Sequence, residues 1–437
     1  MMYTISIRVM NLCLRWDYFL LNCILGGSMA KIQVTSEIKA LKKVLVHRPG
    51  EELLNLTPSN LESFLFDDIP DLTSCQKEHD RFTKIMEDQG VDVVYLEDLM
   101  AETLDCNEGL REIFLDQYLK ETGCSDKKLL EMSREYFEQI KDDKKFVEKT
   151  MAGLTLKELG LFNDKDLYKM EIGKSYLAIN PMANLYFTRD PFTSIGNGLV
   201  FNKMYSMTRN RETIYCDYIF RYHPAYRENV PIFYGRDNTY HIEGGDVLNG
   251  NDHTLLIGIS QRTQFEAIKL LAEKLFFGDY ENKIEKIYAL KIPHNRAFMH
   301  LDTVFTQVDI DAFTYHPAII KKMEVKILSK DSLKNELKIE KASGNLDQIL
   351  ANALGINKVR LIPCGGGDPI AAEREQWNDG SNTLTLAPGK VLVYKRNTVT
   401  NMALRKAGIK VLELDASNLT VGRGGPRCMS MPLERDL

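Results

Sequence analysis

Cysteine is the most nucleophilic side chain available near neutral pH, and Cys428 stands in an unusual setting, the stretch "GRGGPRCMSMPL" from Gly422 to Leu433. Three glycines and two arginines crowd the six positions before it, close to a chain end where most chains fray. Glycine lets a backbone approach a ligand closely, so the pattern predicts a loop folded around something. Cys428 is expected in a shaped, electropositive pocket where Arg427 or an imidazolium favours the thiolate.

Three acidic stretches could join it. In "FMHLDTVF" (298–305) strand alternation would put His300 and Asp302 on one face. Three readings stay open there: a satisfied surface pair, a metal-ligand pair with His294, or a general base with its carboxylate partner. "NLYFTRDP" (184–191) reads as a strand ending in a turn at Asp190 and Pro191, and "HIEGGDVL" (241–248) sets Glu243 and Asp246 beside a backbone with no side-chain bulk. Asp190, Asp246 and Asp302 recur every 56 residues, with Asp368 and Cys428 following at 66 and 60. A repeated unit would bring equivalent loops to one centre. Carboxylates gathered around a thiolate would oppose it unless a cation arrived to neutralise them, which points to a planar guanidinium held by paired hydrogen bonds.

The elements that must position these residues alternate. Short β-branched runs such as "KVLVH", "GLVFN", "TLLIGIS", "KVRLIPC" and "IKVLEL" flank helical stretches such as "CQKEHDRFTKIMEDQG" and "RTQFEAIKLLAEKLF", the signature of an α/β protein. Between about Glu97 and Lys174 the strand signals give way to charged amphipathic segments, which read as a helical insertion. "TVTNMALRKAG" reads as a helix with a threonine start and a stop at Gly408.

Composition narrows the class. The chain has 437 residues, 44% of them hydrophobic, and a formal net charge of −5, with no run of lysine and arginine interleaved with aromatics, which argues against nucleic acid. Eight cysteines without C-x-x-C or zinc spacing favour a reducing compartment with free thiols. "CGGGDP" (364–369) and "GRGG" (422–425) match neither nucleotide-binding glycine pattern. The apolar first 28 residues are broken by Arg15, Trp16 and Asp17 and are too short to span a bilayer. They read as a leader or a misassigned start, with a fresh beginning at Met29.

Taken together, "VHRPG", "LTPSNLESFLFDDIPDL", "QKEHDRF", "NLYFTRDP", "IEGGDVL", "MHLDTVF" and "GRGGPRCMSMPL" resemble the arginine deiminase family over residues 29 to 437. The resemblance implies the pentein fold, a five-bladed α/β propeller, formed by residues 29–98 and 173–437 and interrupted by a helical bundle at 99–172. It implies hydrolysis of free L-arginine to L-citrulline and ammonia through a covalent thiouronium, the first step of arginine catabolism. Cys428 is then the nucleophile, His300 the acid and base, Asp190 and Asp302 the guanidinium clamp, and Glu243 the partner of the histidine. Asn184, Arg209 and Arg262 would bind the α-carboxylate, Phe187 would pack on the aliphatic stem, and Arg423 would guard the entrance. No metal, cofactor, membrane or nucleic acid is expected, and a cytoplasmic homo-oligomer, dimer or tetramer, is. Agmatine or peptidyl-arginine deiminases, an amidinotransferase and a non-catalytic arginine binder are the competing readings.

Overall fold

The computed structural model describes residues 30–162, 175–293, 297–331 and 333–437. The leader and His294 lie outside them.

One arrangement recurs five times among the described residues: an antiparallel strand pair, a helix, and a third strand returning parallel to the second. The strand triplets are Phe192–Ile195, Gly198–Phe201 and Ile232–Tyr234; Val247–Asn251, Thr254–Ile259 and Lys286–Lys291; Phe305–Asp309, Ala312–Tyr315 and Arg360–Pro363; and Leu384–Ala387, Lys390–Tyr394 and Lys410–Leu414. In each the first pair is antiparallel and the second parallel. A parallel return needs a crossover, and the helices Thr213–Tyr222, Phe265–Phe277, Leu346–Leu354 and Thr398–Lys406 supply it.

The fifth unit is assembled from both ends of the chain. Met431–Arg435 runs antiparallel to Leu41–Val46, which pairs in parallel with Asp92–Tyr95 after the helix Leu72–Glu87. That pairing explains why the C-terminal segment does not fray: its backbone groups are satisfied by a strand formed almost four hundred residues earlier.

Neighbouring first strands are tied by buried polar side chains. Asn249 donates to the Ser194 carbonyl at 3.0 Å, Thr385 to Gln307 at 2.8 Å, Thr306 to Ser381 at 2.7 Å, and Arg435 to Thr385 at 2.9 Å. The helices Leu96–Asp105, Leu110–Lys120, Lys127–Gln139 and Asp143–Ala152 follow the Asp92–Tyr95 strand. Their Phe114, Tyr118, Phe137 and Phe146 share one apolar cluster with Ile214, Tyr215 and Leu199, so they pack into the body of the molecule.

Most of the sequence-derived elements lie where alternation placed them, and the exceptions matter. "NLYFTRD" is a series of turns, and the strand begins only at Phe192. "MHLD" is likewise no strand: His300 is extended, Leu301–Thr303 form one turn of 3-10 helix, and the strand starts at Phe305. The helix Thr398–Lys406 begins after Asn397 and is followed by Gly408 at φ 86°, as the stop signal required.

Candidate active site

The loops that precede the first strands converge. Asp190, Asp246, Asp302 and Cys428 each stand one to three residues before such a strand and all are buried. The fourth-unit equivalent is not Asp368, which is exposed and caps the helix Pro369–Trp377 through the Ala371 N–H at 2.7 Å. It is Asn382, two residues before Leu384, and sequence reading missed it. The repeat length lengthens there to 80 residues, because the hairpin Glu324–Asp331 and Glu336–Lys341 is inserted before the unit's third strand and joins the preceding sheet.

Glycine serves close approach in these loops. A Cβ at Gly245 would lie 2.6 Å from the His300 ring, and one at Gly424 would lie 2.2 Å from Phe187. Neither glycine has a positive φ; the strained position is Arg423, at φ 63°.

His300 donates from Nε2 to Glu243 Oε2 at 2.7 Å, and its Nδ1 faces Asp190 Oδ1 at 3.8 Å. Burial pulls the imidazole's pKa down, but Asp190 and Glu243 outweigh it and hold it at about 9. Burial pushes Glu243 up, and Arg262 and His300 reverse this to about 2. The pair is an imidazolium carboxylate. Ligand atoms of Asp190, Glu243 and His300 lie within 4.8 Å of one another, drawn together by the His300–Glu243 bond and the facing Asp190. Asp246 supports the turn instead of lining the site, accepting from the Leu301 N–H at 2.8 Å and the Ser260 hydroxyl at 2.6 Å.

Asp190 and Asp302 each have one oxygen paired with an arginine and one without a hydrogen-bond partner. Asp190 Oδ2 accepts from Arg209 at 2.7 Å and Asp302 Oδ2 from Arg427 at 2.7 Å, while Oδ1 of both is buried without a hydrogen-bond partner. Cys428 Sγ lies 3.8 Å from Asp302 Oδ2. Its surroundings overturn the expectation of an electropositive pocket. Burial, then Asp302, Asp190 and Asp379, push the thiol well above its ordinary pKa. Arg427 does not help, because its guanidinium is spent on Glu37 at 3.1 Å, on Asp302 and on the Val247 carbonyl at 2.8 Å.

The remaining candidates fall around this group. Phe187 packs against Tyr186 with ring centroids 4.0 Å apart and planes tilted by 36°, and backs the glycine loop. Asn184 donates to the Phe64 carbonyl at 2.7 Å. Arg262 reaches Glu243 at 3.6 Å and leaves Nε and Nη1 without hydrogen bonds. Arg209 and Arg262, which looked exposed in sequence, are buried. Arg209 pairs with Asp190 and Glu212, so in this conformation its guanidinium is engaged by carboxylates of the chain and is not set apart for a distant one. Arg423 lies 3.4 Å over the Trp377 ring and 3.3 Å from Asp67.

A thiol, an imidazolium paired with a carboxylate, and two carboxylates that each keep one unpaired oxygen meet in one loop cluster, carried on a repeated ββαβ architecture. An amidinotransferase from Microseira wollei, SxtG, shares the α/β fold with a TM-score of 0.51 at 14% identity, over 93% of this chain and 98% of that one. The family profile described as arginine deiminase matches residues 62–435. An arginine deiminase of Treponema denticola is 51% identical over 93% of this chain and 99% of its own length, and one of Streptococcus pneumoniae is 50% identical over 93% and 98%. The chain belongs to the arginine deiminase family of hydrolases.

Proposed function

We propose that the chain hydrolyses free L-arginine to L-citrulline and ammonia by covalent cysteine catalysis, as the first step of arginine catabolism. The observation that carries this is the pair of bare oxygens, Asp190 Oδ1 and Asp302 Oδ1, in a buried site shared by Cys428 and the His300–Glu243 pair. A substrate guanidinium donates to both. It also supplies positive charge beside a thiol whose pKa burial and the surrounding carboxylates raise, so Cys428 loses its proton to solvent when substrate binds.

The thiolate then forms a bond to the guanidinium carbon, and His300 gives its proton to the departing nitrogen, which leaves as ammonia. The neutral imidazole next takes a proton from water. Hydroxide adds to the thiouronium carbon, the new hydroxyl gives up its proton to solvent as the carbon–sulfur bond breaks, and citrulline leaves with thiolate and imidazolium restored. At the other end of the substrate, Arg262 has unspent donors for the α-carboxylate, with Arg209 and Asn184 joining it after they exchange their present partners, while Arg423 stands at the entrance.

The finer architecture of this reading is a five-bladed propeller from residues 29–98 and 173–437, with the helical insertion at 99–172, working in the cytoplasm as a homo-oligomer. Five repeated units and the hydrogen bonds between their first strands support the propeller. Among the described residues no helix is long and apolar enough to cross a membrane.

The test is ureido-product formation from free arginine. Cys428→Ala should abolish it while calorimetry still detects arginine binding; citrulline made by that variant at a substantial rate ends the covalent mechanism. Arg262→Ala should collapse arginine turnover, and comparing the arginine-to-agmatine turnover ratio of parent and variant separates lost carboxylate binding, which lowers the ratio, from disturbance of Glu243, which leaves it unchanged.

A further inference from the structure

Asn382 holds the nucleophile from two sides. Its Oδ1 accepts the backbone N–H groups of Arg427 at 3.1 Å and Cys428 at 3.2 Å. Two donors converging on one atom fix which end of the amide is oxygen, so Nδ2 must face the sulfur, where it lies 3.1 Å from Cys428 Sγ and 3.3 Å from the Asp302 carbonyl. The side chain is itself fully buried, and Gly425 approaches so closely that a Cβ there would fall 2.6 Å from Asn382 Oδ1.

The need for such a group follows from the charges around the sulfur. From the loops packed against it come the carboxylates of Asp302, Asp190 and Asp379, all opposing a thiolate, with one hydrogen bond from the Gly425 backbone favouring it. Arg427, the adjacent cation, is turned toward Glu37 and Asp302. His300 is engaged with Glu243. The substrate can lower the charge barrier, but it cannot aim the sulfur.

We propose that Asn382 is the positioning residue of Cys428: its carboxamide N–H orients the sulfur and stays bonded to it as the thiolate forms, while its oxygen locks the backbone that carries the cysteine. The inference rests on the covalent reading above and deepens it. Geometry alone distinguishes it from a structural amide, because aspartate is nearly isosteric, keeps the acceptor for both N–H groups, and replaces the donor facing sulfur with a carboxylate oxygen.

The experiment compares the parent with Asn382→Asp and Asn382→Ala in the full chain. Two readouts are taken: kcat and KM for arginine, and the rate of Cys428 carboxamidomethylation by iodoacetamide at a fixed pH, followed by peptide mass. A hydrogen bond to a charged group has a net worth that corresponds to roughly 10- to 100-fold in rate. Both variants should lose at least that in kcat and slow in alkylation, with KM within about threefold of the parent. If Asn382→Asp does not fold, Asn382→Ala decides alone, since it removes the donor to sulfur and the acceptor for the two N–H groups together without adding charge, and both halves of the proposal require the loss. Parental kcat and alkylation in either folded variant overturn the proposal. If the parent makes no citrulline, the functional reading fails, and alkylation still reports whether Asn382 activates the thiol.

Discussion

His300 sits between opposing pressures, and their balance sets a pH limit. Burial favours the neutral ring, yet Asp190 and Glu243 keep it charged up to about 9, above its ordinary 6.5. The proposed leaving-group acid is therefore present across the neutral range and disappears as pH rises through 9. A kcat profile should fall on the alkaline side near that value. Glu243→Gln removes one of the charges holding the proton, so the descending limb should move to lower pH. A limb that stays in place would assign the titration to another group.

At the scale of elements, the site is built from turns that lead into strands, and glycine sets how tightly they nest. Gly245→Ala would place a methyl 2.6 Å from the His300 Cγ and Nδ1, and the ring must move to accommodate it. Displacing a catalytic group by a fraction of an ångström to one ångström costs on the order of 100-fold in rate. Gly245→Ala should thus lower kcat by about that factor with the fold retained. Gly235→Ala, whose nearest neighbour would be 3.8 Å away, should change kcat little and serves as the control. Circular dichroism alongside the kinetics separates lost geometry from lost fold.

At the scale of the whole molecule, buried charge ties the chain-end unit to the helices. His47, just after the strand Leu41–Val46, bonds Glu97 at 2.7 Å and Glu52 at 3.1 Å. Burial lowers its pKa, but the two glutamates outweigh burial and raise it to about 10. A folded pKa above the unfolded one contributes stability that is complete below about 6.5 and is lost as pH rises through 10. His47→Gln strands two buried carboxylates and should destabilise the protein by about 3–5 kcal/mol at neutral pH. Denaturant midpoints of parent and variant should converge above pH 10. A gap that persists there would assign the loss to packing.

How much of this was legible in sequence depends on the range of the physics involved. Alternation and capping are local, so strands such as Thr254–Ile259 and helices such as Phe265–Phe277 could be read directly. "YFTRD" failed because β-like residues were recruited into turns whose side chains, Tyr186 and Phe187, fill the space left by the glycine loop. The motifs around Cys428, His300, Asp190 and Asp302 identified the family from residue order alone.

What sequence by itself determined is the inventory: α/β alternation, a cysteine in a glycine-rich loop, and acidic turns at a repeating interval. Only the tertiary structure decided the charge on the sulfur, the partners of Arg209 and Arg427, and the place of Asn382. Those depend on which groups from distant segments meet in a buried space, where a change of a few ångströms reverses which charge dominates, and spacing along a chain carries no record of that.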